Sequence, residues 1–121
     1  MKKLLASMGF AFAGVRSLFA HERNAQLHLV SAVVTICVAF YLNVSNLEWI
    51  AIWVCISTVI AAEAFNTAIE KLCDLVQPNH DPHIKIIKDL SAAAVLIISI
   101  AALCIGALIF VPKIINQFAI S

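Results

Sequence analysis

The segment Glu63-Ala-Phe-Asn-Thr-Ala-Ile-Glu70-Lys-Leu-Cys-Asp74 ends a long apolar stretch, and its polar residues decide how the chain is read. Glu63, Asn66, Thr67, Glu70 and Asp74 stand at i, i+3, i+4, i+7 and i+11, so a helix places them on one face. A carboxylate at mid-helix in a bilayer costs about 2.5 kcal/mol or more, so this face turns inward or sits at the water boundary. An ionisable group held there marks a functional site by default.

Outward from this segment the chain is strongly apolar: 63% of its 121 residues are hydrophobic and 12% are charged, which defines a membrane protein of one domain, residues 1–121. Leu90 to Val111 contains no charged residue and is long enough to cross a hydrocarbon layer ~30 Å thick. Leu27 to Leu42, interrupted only by His28 and small hydroxyls, supplies another span. Trp49 to Ala62, continuing through Glu63, supplies the span between these two. Each of these last two reaches spanning length only with its flanking turns.

Met1-Lys2-Lys3 followed by Leu4 to Ala13 mimics a signal peptide, and Ala11-Phe12-Ala13 mimics its cleavage site. The periodicity points to an amphipathic helix instead. Leu5, Met8, Phe12, Val15 and Phe19 share one face, Lys2, Lys3, Ser7 and Ser17 lie off it, and Arg16 flanks the border. Such a helix lies in the membrane interface. The expected fold is therefore all-α: an amphipathic leader and three transmembrane helices.

Lys2, Lys3, Arg16 and Arg23 precede the first span, and Lys71, Lys85 and Lys88 lie between the second and third. The short loop Asn43-Val-Ser-Asn-Leu-Glu48 has no Lys or Arg, so the amino end and the second loop are expected on the cytoplasmic side. Trp49 and Trp53 suit an interfacial position. The second loop, Gln77-Pro78-Asn79-His80-Asp81-Pro82-His83, reads as a solvated turn more than as a metal site. Cys37, Cys55, Cys73 and Cys104 form no C-x-x-C pair and read as small buried hydrophobes, with no disulfide framework or zinc site. Nothing resembles a basic groove with interleaved aromatics, so nucleic acid is excluded as a partner.

Glu63 and Glu70 are ~10 Å apart along a helix axis, too far to share a proton and suited to separate roles. One carboxylate is fit to take a proton while the other holds a cation. Mg²⁺ favours one or two carboxylates plus substrate phosphates and water, so a partly wet site of this kind suits a metal-bound nucleotide. Glu22, just before the first span, is placed to supply a second carboxylate, and Lys88-Asp89 opens the third span at the same level with an ammonium for phosphate oxygens. No G-x-x-x-x-G-K-[ST] occurs, and Gly9, Gly14 and Gly106 are too scattered to form a phosphate loop. The plainer reading is that Glu63, Asn66 and Glu70 only bond neighbouring helices, with Lys71 or Lys88 neutralising Glu70.

The pattern Glu63-x-x-Asn66-Thr67-Ala68-Ile69-Glu70-x-x-x-Asp74, followed by Lys88-Asp89-x-x-Ala92-Ala93-x-Val95-Leu96, resembles the prokaryotic diacylglycerol kinase family, which includes undecaprenol kinases. The likeness starts at Phe10-Ala-Phe-x-Gly14 and Glu22-Arg23-Asn24 and runs through the third span. It implies three-span subunits in a homotrimer, with active sites at the cytoplasmic surface of a bacterial inner membrane and between subunits. It further implies that Glu63 is the general base for a lipid hydroxyl, and that Glu22 and Glu70 hold Mg²⁺ with ATP. By the same resemblance Lys88 and Asp89 contact nucleotide, Phe10 lies beside it, and Lys3, Asn79, His80 and Asp81 border it. Asn66 and Asp74 would orient the site. Phe65 and Cys73 replace aliphatics of the family pattern, Asp81 stands where undecaprenol kinases often carry histidine, and Ala25-Gln26 replaces a hydrophobic-basic pair. Glu22-Arg23-Asn24 is closest to the undecaprenol-kinase branch.

The expected function is ATP-dependent phosphorylation of a membrane lipid hydroxyl, diacylglycerol or undecaprenol. The competing expectations are a small proton-coupled transporter, for which an intramembrane glutamate is also typical, and a structural subunit whose polar stripe specifies helix association.

Overall fold

A computed structural model describes residues 1–119 and is built from four helices: α1 (Lys2–His21), α2 (Arg23–Tyr41), α3 (Asn46–Val76) and α4 (Pro82–Ala119). All four are long and apolar enough to cross a membrane. Leu4, Phe12, Val30, Phe65, Leu96 and Leu108 are among the many large apolar side chains left exposed, which suits a surface solvated by hydrocarbon rather than water.

The interior is made of small residues at heptad spacing. On α2 the buried positions are Ala25, Ala32 and Ala39, and on α3 they include Ile52, Val59, Asn66 and Cys73. A seven-residue repeat keeps one seam facing its neighbour along a helix pair. Alanine at each α2 position lets the backbones approach closely, which is how helices gain packing where lipid offers no hydrophobic drive. Along the α3 line the chemistry changes: Ile52 and Val59 are aliphatic, whereas Glu63, Asn66 and Thr67 are buried polar residues.

α3 has 31 residues and therefore measures ~46 Å, well beyond a ~30 Å hydrocarbon layer. Measured from its first residue, Glu63 lies ~26 Å along the axis and Glu70 ~36 Å, which brackets the far membrane boundary. The long helix thus carries its polar face out of the apolar zone.

The links between helices come from local chemistry. Glu22 is extended (φ −104°, ψ 112°) and joins α1 to α2 as a one-residue elbow. α2 ends in a Schellman turn, with Asn43 at φ 49° and N–H groups of Asn43 and Val44 donating to Phe40 and Ala39 carbonyls. Val44 then packs with Ala39, Ile52 and Ile109. The expected loop through Glu48 is shorter than the sequence reading gave, because Asn46, Leu47 and Glu48 belong to the first turn of α3. Ser45 caps that turn, its Oγ accepting from the Glu48 N–H at 3.3 Å, while Glu48 Oε2 accepts from the Ser45 N–H at 2.6 Å. α4 begins with Pro82 after Asp81, whose Oδ1 accepts from the N–H groups of His83 and Ile84 at 2.8 and 3.3 Å.

Trp49 stacks on Trp53 with centroids 6.5 Å apart and tilts against Phe40 at 4.8 Å. Both tryptophans occupy the opening turns of α3, and Trp49 also packs against the Ala39 cluster.

Candidate active site

The polar face of α3 meets the α1–α2 elbow and the start of α4 at one end of the bundle. Glu63 is nearly sealed from solvent, with 4% of its side chain exposed, and its Oε2 faces His28 Nε2 of α2 at 3.9 Å. One turn on, Asn66 Nδ2 donates to Glu70 Oε1 at 3.4 Å. Asn66 Oδ1 is buried without a hydrogen-bond partner. The next turns carry two ion pairs that tie α3 to its neighbours. Lys71 Nζ lies 2.9 Å from Glu22 Oε1 at the elbow, and Lys88 Nζ of α4 donates to Asp74 Oδ1 at 2.6 Å.

These groups form one electrostatic cluster. Glu63 lies in the field of Glu70 and Glu22, beside the His28 ring. Lys71 lies in the field of Glu22, Asp74 and Glu70, and Lys88 in that of Asp74 and Glu70. Each lysine is paired with Glu22 or Asp74, and neither forms an ion pair with Glu70. Among the described residues Glu70 has no ion pair.

The remaining expected site residues fall in different places. Asp89 pairs with Lys85, one turn back on α4. Asp81 is used as the α4 cap and also lies 3.4 Å from His83 Nδ1. Asn79 donates its backbone N–H to Gln77 Oε1 at 3.3 Å, and His80 follows in the same exposed turn. Lys3 and Phe10 are exposed on α1. Among the described residues no hydrogen bond or ion pair joins Lys3, Phe10, Asn79 or His80 to the carboxylate cluster. Two contributors were not assigned a site role from the sequence. His28 was visible only as an interruption of an apolar span, although an ionisable residue in such a span is itself a signal. Lys71 lies within the polar segment, but its partner across the elbow depends on the turn at Glu22.

The donor set suits a hard cation shared with a ligand. Glu22 and Glu70 offer two carboxylates, and a magnesium ion completes its shell with phosphate oxygens and water rather than a full protein cage. No group of three or more His, Cys, Asp or Glu side chains with metal-holding geometry occurs among the described residues. Asn66 Oδ1, on the residue whose amide group bonds Glu70, is buried with no hydrogen-bond partner among the described residues.

Fold and site together define an all-helical membrane protein with a carboxylate-rich, partly unsaturated polar centre at one end of its bundle. The profile of the prokaryotic diacylglycerol kinase family matches residues 9–110. The chain is 34% identical over 113 residues to an undecaprenol kinase of Bacillus subtilis, covering 93% of this chain and 92% of that one. It is 38% identical over 117 residues to a diacylglycerol kinase of Synechocystis, covering 93% of this chain and 65% of that one. A diacylglycerol kinase of Pseudomonas aeruginosa is 36% identical over 95 residues, which cover 78% of this chain and 76% of that one. The chain belongs to the prokaryotic diacylglycerol kinase family and is a lipid phosphotransferase.

Proposed function

We propose that the protein transfers the γ-phosphate of ATP to the hydroxyl of a membrane lipid, a polyprenol of the undecaprenol type in the first instance and diacylglycerol in the second. The observation that carries this reading is the gathering of Glu63, Glu70, Glu22 and Lys88 into one cluster where the polar face of α3 leaves the apolar zone. Phosphoryl transfer asks a protein mainly for an aligned nucleophile and for charge stabilisation. The lipid oxygen attacks the γ-phosphorus, the bond to the ADP oxygen breaks, and the hydroxyl proton passes to the Glu63 carboxylate. Glu63 suits that role because, among the described residues, its carboxylate pairs with no lysine or arginine and faces only the His28 ring at 3.9 Å.

Glu22 and Glu70 would hold Mg²⁺, which supplies neutralisation of the nucleotide's phosphate charge. Lys88 gives an ammonium for phosphate oxygens and is held by Asp74, and Asn66 orients Glu70. Asp89, Phe10, Lys3, Asn79, His80 and Asp81 would border the nucleotide, Asp81 acting through the turn that it caps. In this reading residues 1–121 form a single domain, α1 lies in the interface, α2 to α4 span, and the amino end faces the cytoplasm of a bacterial inner membrane. The positive residues of α1 and those flanking the α3–α4 turn, Lys71, Lys85 and Lys88, favour that orientation. The subunits would assemble as a homotrimer. Polyprenol is favoured by Glu22-Arg23-Asn24 and by the near-complete length match to the undecaprenol kinase.

The deciding experiment offers γ-labelled ATP to the purified protein with undecaprenol and diacylglycerol side by side. Label is expected in the polyprenyl phosphate first, is expected to vanish on chelation of divalent cations and is expected to return with Mg²⁺. Label in neither lipid would reject the reading.

A further inference from the structure

Glu22 forms the corner between α1 and α2 and, in the kinase reading, supplies one of the two carboxylates that hold Mg²⁺. No proline or glycine fixes this turn, whose flanking residues are His21 and Arg23. The corner is bonded by the Glu22 N–H to the Leu18 carbonyl at 3.0 Å, the Gln26 N–H to the Glu22 carbonyl at 3.1 Å, and Gln26 Nε2 to the Phe19 carbonyl at 3.0 Å. These bonds hold backbone, and none of them touches the Glu22 carboxylate. Its partner comes from α3: Lys71 Nζ lies 2.9 Å from Oε1. α1 packs only sparsely on α3, so this pair is one of the few links between the corner and the helix that carries Glu63 and Glu70.

Lys71 follows Glu70 in the chain, yet neighbouring side chains diverge by ~100° around a helix. The ammonium therefore reaches the corner while the Glu70 carboxylate turns back to Asn66. One turn of α3 thus presents one carboxylate and, beside it, the cation that occupies the other. The Lys71 side chain is 64% exposed and that of Glu22 28%, and an exposed pair of this kind is weak and exchangeable. Mg²⁺ is a hard dication that prefers carboxylate oxygens, so it outcompetes a solvated ammonium for them. The pair is strong enough to aim the Glu22 carboxylate and weak enough to yield it.

We propose that Lys71 is a positioning residue for Glu22: it holds the corner and its carboxylate in place until Mg²⁺ and nucleotide bind, and then gives the carboxylate up to the metal. This rests on the lipid-kinase reading and adds how a metal ligand carried on a one-residue corner is kept ready. The corner is thereby held in both states, by Lys71 in one and by the metal in the other.

Backbone amide exchange of the corner, residues 18–26, reads this independently of activity. It is measured by mass spectrometry on the full chain in lipid nanodiscs, first with EDTA and then with Mg²⁺ and a non-hydrolysable ATP analogue. In Lys71→Met, exchange is expected to run about threefold faster than in the parent under EDTA and to return to within about 1.5-fold of it with Mg²⁺ and the analogue. Lys71→Gln is read in the same way if the methionine variant does not fold. Lys71→Arg keeps the pair and is expected to follow the parent in both conditions. Lys88→Met removes a charge from the same cluster but not from the corner, and its corner is expected to exchange as in the parent under EDTA. Exchange that stays fast in folded Lys71→Met after Mg²⁺ and the analogue are added would make Lys71 a plain structural tether and overturn the proposal. Unchanged exchange under EDTA, or equal acceleration in Lys88→Met, would overturn it as well. Transfer of labelled phosphate to undecaprenol and diacylglycerol is measured on the same parent sample. Its absence rejects the kinase reading instead, and the response of the corner to Mg²⁺ then still decides the role of Lys71.

Discussion

The two ends of the bundle are built on opposite terms. At the Ser45 end polar groups meet partners within the chain: Ser45 and Glu48 cap each other, Lys113 lies 3.1 Å from Glu48, and Gln117 Nε2 donates to Tyr41 Oη at 3.1 Å. At the Glu22 end only the outer groups are matched, Lys71 with Glu22 and Lys88 with Asp74. Deeper in, among the described residues, Glu63 faces a single ring, Glu70 bonds one amide, and Asn66 Oδ1 has no hydrogen-bond partner. A buried polar group without a partner is costly, so evolution of a purely structural end leads to the first pattern. Under the proposed function, the second pattern is expected of an end whose groups face a substrate.

That contrast can be broken most forcefully at Glu63. Glu63→Gln keeps the shape and removes the proton acceptor, so phosphate transfer from labelled ATP is expected to fall by about 10² to 10⁴ while helical circular dichroism is retained. Full activity in a folded variant would place the unsaturated end on the structural side of the comparison. A smaller loss is expected for Lys88→Met, about tenfold in kcat/KM for ATP and mainly through KM, since the ammonium is one of several charges meeting phosphate. An equal loss in lipid KM would show that Lys88 shapes the bundle rather than the nucleotide site.

Substitutions remote from the cluster sharpen the contrast from the other side. Ala39→Leu overfills a fully buried position of the α2 seam and is expected to lower stability by about 1–3 kcal/mol, read from unfolding in detergent. Ser45→Ala removes the cap of α3 and is expected to cost about 1 kcal/mol in the same measurement. In Ser45→Ala, kcat is expected to stay within about twofold of the parent, because the cap lies ~26 Å along α3 from Glu63. A tenfold loss of kcat there would show that the saturated end also controls the chemistry.

Much of this arrangement was legible in the residues. The i, i+3, i+4, i+7 and i+11 spacing put Glu63 through Asp74 on one helical face, and Glu63, Asn66 and Thr67 are indeed turned into the protein. The apolar runs located the helices, though less well their ends. α3 starts earlier than the apolar run from Trp49 indicates, because Ser45 to Glu48 form an S-x-x-E capping signature rather than a loop. Nothing local marked the break at Glu22, where neither proline nor glycine stands. Partner choice is also hidden in the sequence: Lys85 takes Asp89 on its own helix, whereas Lys88 reaches Asp74 on another helix and Lys71 reaches Glu22 at the α1–α2 elbow.

The sequence by itself determined the membrane class, the helical periodicity and the polar face, because hydropathy and spacing along one helix are properties of neighbours in the chain. Only the tertiary structure decided that His28 meets Glu63, that Glu70 has no ion pair among the described residues, and that a chamber opens between α2 and α4. Those outcomes follow from how close alanine-lined helices approach and where an elbow turns, and distances between helices are not written in the spacing along any one of them.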